Sequence, residues 1–200
     1  MKAIFAILLL VFTQISFAQN LNFESGVSIS KLRFTKSDGS KYSVDSDSPG
    51  SFISLGASSQ KNIGKILYGI NLISFNNKIT TIELPVQYKT TYFGGFVGLE
   101  KSLTNKIDIS VSMGIRKIFN GTQQMNNEFF SLKENNEFNG TWYAPEIFLR
   151  RKVVESDFFN VSLAYGLTKT FKLNYNSPQK LSYFSHLGTI QFRFKTSKVN

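Results

Sequence analysis

No cysteine occurs in the 200 residues, which excludes a disulfide scaffold, a thiolate metal centre and a cysteine nucleophile. Histidine occurs once, so any histidine-dependent catalytic or metal site has to be built on His186. Proline is scarce at four residues, and charged residues make up only 18%. Carboxylates are the rarer sign: 13 Asp and Glu stand against 23 Lys and Arg, a formal charge of +10 that would ordinarily raise nucleic acid as a partner. Beyond the first twenty positions no apolar run approaches the ~18 residues of a transmembrane helix. What the chain has in quantity is Phe (20) and Tyr (8), within a 42% hydrophobic content that excludes a disordered polymer.

The start of the chain decides the compartment. Lys2 precedes an apolar stretch from Ala3 to Phe12, and Ser16-Phe17-Ala18 precedes Gln19. A basic start, a short apolar core and small residues before the break define a cleaved signal segment, 1–18, followed by one domain, 19–200. The apolar core is too short for the ~20 residues of an anchor helix. With no cysteine after it, the segment is not that of a lipoprotein. An exported chain leaves nucleic acid out as a partner.

Beyond residue 20 the recurring signal is alternation with period two, which puts successive side chains on opposite faces of a strand. Ile107, Ile109, Val111, Met113, Ile115 and Phe119 oppose Asp108, Ser110, Ser112, Gly114 and Arg116. Phe159, Val161, Leu163, Tyr165, Leu167 and Phe171 oppose Asn160, Ser162, Ala164, Gly166, Thr168 and Thr170. The last segment sets Phe184, Ile190, Phe192 and Phe194 against Ser185, Thr189, Gln191 and Arg193. Weaker versions at 23–34, 51–60, 65–75, 92–103 and 141–153 bring the total to eight. Within the first, the apolar parity changes between Ile29 and Leu32, which predicts a bulge near Lys31 or a strand end outside the apolar slab.

Short polar turns at 60–65, 104–106 and 155–157 alternate strictly with long polar segments at 35–50, 76–91, 120–140 and 173–182. This predicts an all-β, eight-stranded antiparallel up-and-down transmembrane barrel, with short turns in the periplasm and long loops outside. Segment 76–91 is read as a hairpin projecting above the membrane, since a ninth strand would break the even count. Aromatic residues gather at the long-loop ends: Phe34, Phe52, Phe75, Tyr92, Phe119, Trp142, Tyr143, Phe171 and Tyr183. They are expected to form an outer aromatic girdle at the membrane–water interface, with Phe23, Tyr68, Phe159 and Phe194 as a sparser inner one.

The layout resembles the outer membrane protein beta-barrel domain families of Bacteroidetes, the small OmpA- or OmpX-like barrels. The likeness rests on Phe17-Ala18-Gln19, on the final strand Leu187-Gly188-Thr189-Ile190-Gln191-Phe192-Arg193-Phe194, and on the strand-and-loop layout of the mature chain. It implies an outer-membrane location and contact with outer-membrane lipids, lipopolysaccharide included. It also implies a monomer, and a final strand whose Phe192 and Phe194 are read by the barrel-assembly machinery. The chain departs from the pattern by continuing from Lys195 to Asn200.

The polar parity collects Glu100, Asp108, Arg116, Glu146, Arg150, Gln191 and Arg193. Eight strands leave an interior just wide enough for side chains, so these charges are expected to pair and close the lumen. His186 shares the lipid-facing parity with Phe194, and neither same-face neighbour on its strand, Phe184 or Gly188, is an acid or a nucleophile. Asp45-Ser46-Asp47-Ser48-Pro49-Gly50 opens like a calcium loop but lacks the later Glu. No enzyme, cofactor or metal is expected. The alternatives are a soluble lipocalin-type carrier, which would invert the two faces, and an outer-leaflet lipid-modifying enzyme built on His186.

Overall fold

The computed structural model describes residues 20–35, 38–80, 85–135, 138–172 and 180–196. The expected signal segment, 1–18, lies outside them. Among the described residues ten strands form in chain order: β1 Asn20–Thr35, β2 Lys41–Ser48, β3 Gly50–Lys61, β4 Gly64–Thr80, β5 Pro85–Ser102, β6 Ile107–Met125, β7 Glu128–Ser131, β8 Thr141–Glu155, β9 Phe159–Lys172 and β10 Lys180–Lys195. They make a closed barrel of eight staves, because β2 and β3 occupy one stave and β7 is a hairpin extension of β6. β2 continues above β3 between β1 and β4, with Pro49 at the break where the ladder loses a donor. All pairings are antiparallel, and β10 closes the sheet on β1 from Asn20↔Lys195 to Thr35↔Lys180. Closure leaves the barrel without an edge, a condition for crossing lipid with strands.

Burial alternates along every stave, and its sense is inverted relative to a soluble protein. Val27, Ile29, Leu55, Val97, Val111, Ile115, Leu149 and Leu163 face out, each between 50% and 57% exposed. Ser28, Ser110, Arg116, Thr168 and Ser185 face in at 3% or less. The soluble-carrier alternative, which needs the apolar parity inside, is overturned by this inversion.

The first stave corrects one expectation. Register along β1–β10 is unbroken through Lys31, so β1 itself carries no bulge; the shift beside it, between Ser28↔Gly50 and Lys31↔Asp45, lies in the partner where β2 gives way to β3. Leu32 is inward and fully buried because the upper lumen is itself apolar, so the polarity of the interior changes while the alternation does not. Further register shifts fall at Phe119, between Tyr92↔Ile118 and Thr91↔Asn120, near Val153 on β8, and between Ser46 and Ser48 on β2.

Of segment 76–91, residues 76–80 and 85–91 form the upper part of β4 and β5, paired from Asn76↔Lys89 to Thr80↔Pro85, and 81–84 lie outside the described residues. The two strands have 17 and 18 residues. At ~9–11 residues per crossing they extend well past the bilayer, so this hairpin projects above it. The Asp45-Ser46-Asp47 backbone is part of extended β2, with Asp45 opposite Lys31 on β1 and Ser46 opposite Asn77 on β4, whereas a calcium loop has to curl around the ion.

Candidate functional site

The lumen is filled in three layers. At the short-turn end Arg193 forks onto Glu100, Nη1 to Oε1 at 2.7 Å and Nη2 to Oε2 at 2.6 Å. Lys65 Nζ approaches the same carboxylate at 3.2 Å and Arg150 at 3.9 Å. Arg150 also reaches Glu24 Oε2 at 2.8 Å and donates to Ser110 Oγ. Glu24 accepts in addition from Thr189 and Gln191, and Asp108 from Ser102 Oγ at 2.6 Å. Fork geometry supplies two parallel charge-assisted bonds, the arrangement best able to offset desolvation.

The middle layer is one ion pair, Arg116 with Glu146, both buried. Arg116 Nη1 donates to Thr170 Oγ1 at 2.9 Å and Nε to Asn71 Oδ1 at 3.3 Å. Ser112 Oγ donates to Glu146 Oε2 at 3.2 Å. Two glycines make room for long side chains crossing the barrel. A Cβ at Gly94 would collide with Arg116, and one at Gly166 with the ring of Phe148, whose face receives the Arg150 guanidinium at 4.5 Å.

Counted together, buried Glu24, Glu100, Asp108 and Glu146 face buried Arg116, Arg150 and Arg193, with Lys65 at the mouth as the fourth cation. Among the described residues the interior charge therefore balances. All six charges singled out from the sequence, Glu100, Asp108, Arg116, Glu146, Arg150 and Arg193, lie in the lumen. Glu24 escaped sequence reading, although its parity opposite Phe23, Val27 and Ile29 would have found it.

The upper layer corrects the girdle. Phe52, Phe75, Tyr92, Trp142 and Tyr183 are inward and between 0% and 2% exposed, so they do not meet lipid. Phe75 and Tyr183 stack at 4.5 Å, Tyr92 and Trp142 meet edge-on at 5.2 Å, and Tyr183 hydroxyl pairs with Thr90 Oγ1 at 3.1 Å. Phe34 belongs with them, packed on Tyr88 at 6.0 Å. The physical reason is parity: each sits one or three residues from an outward side chain of its own stave. Aromatic end-clustering alone does not say which face the ring takes. Phe119, Tyr143 and Phe171 are on the outer wall, the last two stacked at 6.2 Å, with Phe93 and Phe184 also outward.

The chain also closes its own mouth. After β7, Leu132 and Phe138 turn inward to 1% and 2% exposure, and Trp142 Nε1 donates to Phe138 carbonyl oxygen at 2.8 Å. Phe138 stacks on Tyr88 at 5.9 Å.

His186 is exposed on the outer wall. Its Nδ1 lies 2.5 Å from the Tyr165 hydroxyl and its ring meets Phe184 edge-on at 5.4 Å. Its partners are thus a phenol and a phenyl ring, and neither is a carboxylate that could orient the imidazole. Among the described residues no group of three His, Asp or Glu is placed to hold a metal. Phe192 and Phe194 are outward on the closing stave, with Phe192 against Phe23 at 6.4 Å.

An edge-free barrel with an apolar wall and a packed, charge-balanced interior is a small outer-membrane β-barrel, and the outer membrane is where it resides. No protein-family description matches the sequence, and no curated protein matches it. Among solved structures, Neisserial surface protein A shares the fold at a TM-score of 0.52 and 10% identity, over 88% of this chain and 97% of that one. Ail, the attachment invasion locus protein of Yersinia pestis, in complex with the heparin analogue sucrose octasulfate, aligns at 0.40 and 14% identity, over 88% and 98%. The outer membrane protein AlkL in lipid bilayers aligns at 0.36 and 9% identity, over 90% and 92%.

Proposed function

We propose that this is a non-enzymatic, monomeric envelope barrel of the OmpA- or OmpX-like kind. Its lumen conducts nothing at rest, and its projecting hairpins carry recognition: adhesion, envelope integrity or ligand contact. The observation that carries the reading is the filled interior, with ion pairs below and an aromatic plug above, in a wall whose outer face is apolar. An eight-stranded barrel so packed has no room for an aqueous channel. A chain that neither transports through its centre nor presents a catalytic group acts through its outer surface. Its surroundings would be outer-membrane lipids, lipopolysaccharide among them. Phe192 and Phe194 would serve as the assembly signal for the barrel-assembly machinery, since both point out from the last strand to be paired.

Three measurements test this. Carbonate extraction should leave the protein in the membrane pellet, and unboiled samples should migrate faster than boiled ones. Planar-bilayer recordings should show no steady conductance. Open channels of constant size would refute the closed lumen, and hydrolysis or acyl transfer lost in His186→Ala would refute the non-enzymatic assignment.

A further inference from the structure

Above the apolar wall β4, β5, β6 and β7 continue as a four-stranded sheet. Register sets Lys78 opposite Gln87, Gln87 opposite Gln124 and Gln124 opposite Phe129, so one row across the four strands reads cation, amide, amide, ring. The row beneath it, Asn76–Lys89–Thr122–Ser131, is polar throughout. Opposed residues of antiparallel strands share a face. That face is the outer one, because buried Asn77 and core-packed Tyr88 take the alternate parity. At the tip, Asn126 and Asn127 join β6 to β7 with φ of 50° and 64°, the conformation of a two-residue type I′ hairpin turn. Lys78, Gln87, Gln124, Asn126 and Asn127 line an open recess of ≈ 380 Å³, with Phe129 opposite Gln124 at its side.

The lining says what the recess can hold. Among the described residues, none of its four amide side chains is engaged in a hydrogen bond within the chain. Each offers a carbonyl acceptor and an NH2 donor, so together they match uncharged groups that donate and accept at once, as hydroxyls do. Lys78 is the one cation of the lining, and Ser46 opposite Asn77 sets Asp45 of β2 beside it in register; Lys89 stands one row lower, outside the recess. An anion would therefore find a single cation that already has an acidic residue next to it. Phe129, 69% exposed, is the one apolar residue of the two rows. A ring at the end of an amide row offers its electron-rich face to polarised C–H groups. Hydroxyls around an edge and C–H groups across a face describe a sugar ring. From Lys78 to Phe129 the row covers three strand spacings, about 14 Å, which is longer than one such ring.

We propose that the outer face of this projecting sheet is a binding site for neutral oligosaccharides of two or more rings. Phe129 stacks on one ring, Gln124 and Gln87 hydrogen-bond the hydroxyls of that ring and the next, and Asn126 and Asn127 hold the upper edge. The proposal rests on the reading above that the projecting hairpins carry recognition, and it names the ligand class.

The test uses the chain purified from membranes and placed in phosphatidylcholine nanodiscs, with heat-modifiable migration checked in every sample. It is passed over an array of neutral, sulfated and carboxylated oligosaccharides. Lipid-free polysaccharide from the producing cell's own envelope is spotted beside them, so that a self ligand and a foreign one are read apart. Neutral glycans should be retained over acidic ones. Phe129→Ala and Gln124→Ala should each weaken that retention about fivefold or more, and Phe129→Trp should preserve it. Phe130→Ala, on the opposite face of the same strand, and Gln60→Ala with Asn105→Ala, at the short-turn end, should leave it within about twofold. Lys78→Gln, which keeps a hydrogen-bonding group, should leave it within about threefold. Retention of acidic glycans alone, no retention by a folded chain, or equal losses in Phe129→Ala and Phe130→Ala would overturn the site. Neutral glycans held undiminished by the Phe129 and Gln124 variants would overturn it too, while leaving recognition by the other hairpins standing. Loss of heat-modifiable migration in the unsubstituted chain would instead overturn the barrel reading.

Discussion

Glu100 is the most demanding test of the packed lumen. It is 1% exposed and receives the Arg193 fork at 2.7 and 2.6 Å, Lys65 at 3.2 Å and Arg150 at 3.9 Å. Glu100→Gln keeps the shape and one acceptor oxygen but removes the charge. It also turns an amide NH2 toward a guanidinium that needs acceptors. Arg193 is then a buried cation with no anion at its fork, and breaking a buried pair from one side costs ~3–5 kcal/mol. Removing both partners behaves differently: Glu100→Leu with Arg193→Met leaves the Glu24–Arg150 pair intact and the total charge balanced. The double variant should cost under ~2 kcal/mol, well below the sum of the two single losses. Urea titration in lipid vesicles, followed by gel mobility and by the fluorescence of Trp142, the one tryptophan, reads both. A loss below ~1 kcal/mol for Glu100→Gln, or additive single effects, would refute the claim that the layer is dry and charge-compensated.

Three further outcomes follow from the same geometry. Trp142→Ala should destabilise by ~3–5 kcal/mol because the ring is fully buried in the plug, whereas Tyr143→Ala on the outer wall should cost far less; equal losses in urea titration would contradict the inward placement. Val111→Lys, an outward position on β6, should cost ~2–4 kcal/mol in lipid if it sits near the bilayer midplane, and a neutral result would mean that this wall does not face hydrocarbon. Gly166→Ala should cost ~1–3 kcal/mol by driving a methyl into the Phe148 ring, and Phe148→Leu in the same chain should recover part of it, as measured by the urea midpoint.

The eight staves and their turns were legible because each half-buried strand writes its alternation directly into the chain, and length asymmetry orders the connections. The charges in the lumen were legible for the same reason: Arg116 and Glu146 interrupt apolar residues at the parity of small ones. The plug was not. Phe52, Phe75 and Tyr183 look like girdle residues because their types suit an interface as well as a core, and only the parity against Ile53, Ser74 and Phe184 separates the two. Leu32 made the first stave look bulged for the same cause. An interior that is ionic at one end and aromatic at the other defeats any rule that equates inward with polar. The role of Leu132 and Phe138 was illegible altogether, since they lie in a connection with no period to read.

That connection ties the outer surface to the interior. Between β7 and β8 the chain lays Leu132 and Phe138 onto the rings below, and the Phe138 carbonyl accepts the indole N–H of Trp142. Trp142 in turn lies opposite Arg116 in the β6–β8 register, beside the central ion pair. A ligand that pulled this segment outward would strip the plug of two apolar residues and leave a buried indole N–H without an acceptor, at ~1–3 kcal/mol for the orphaned donor alone. Recognition at β7 is therefore opposed by the packing of the barrel mouth. Exposed Phe129 and Phe130, which can be contacted without moving Leu132, are the part of this hairpin that a partner can reach at least cost.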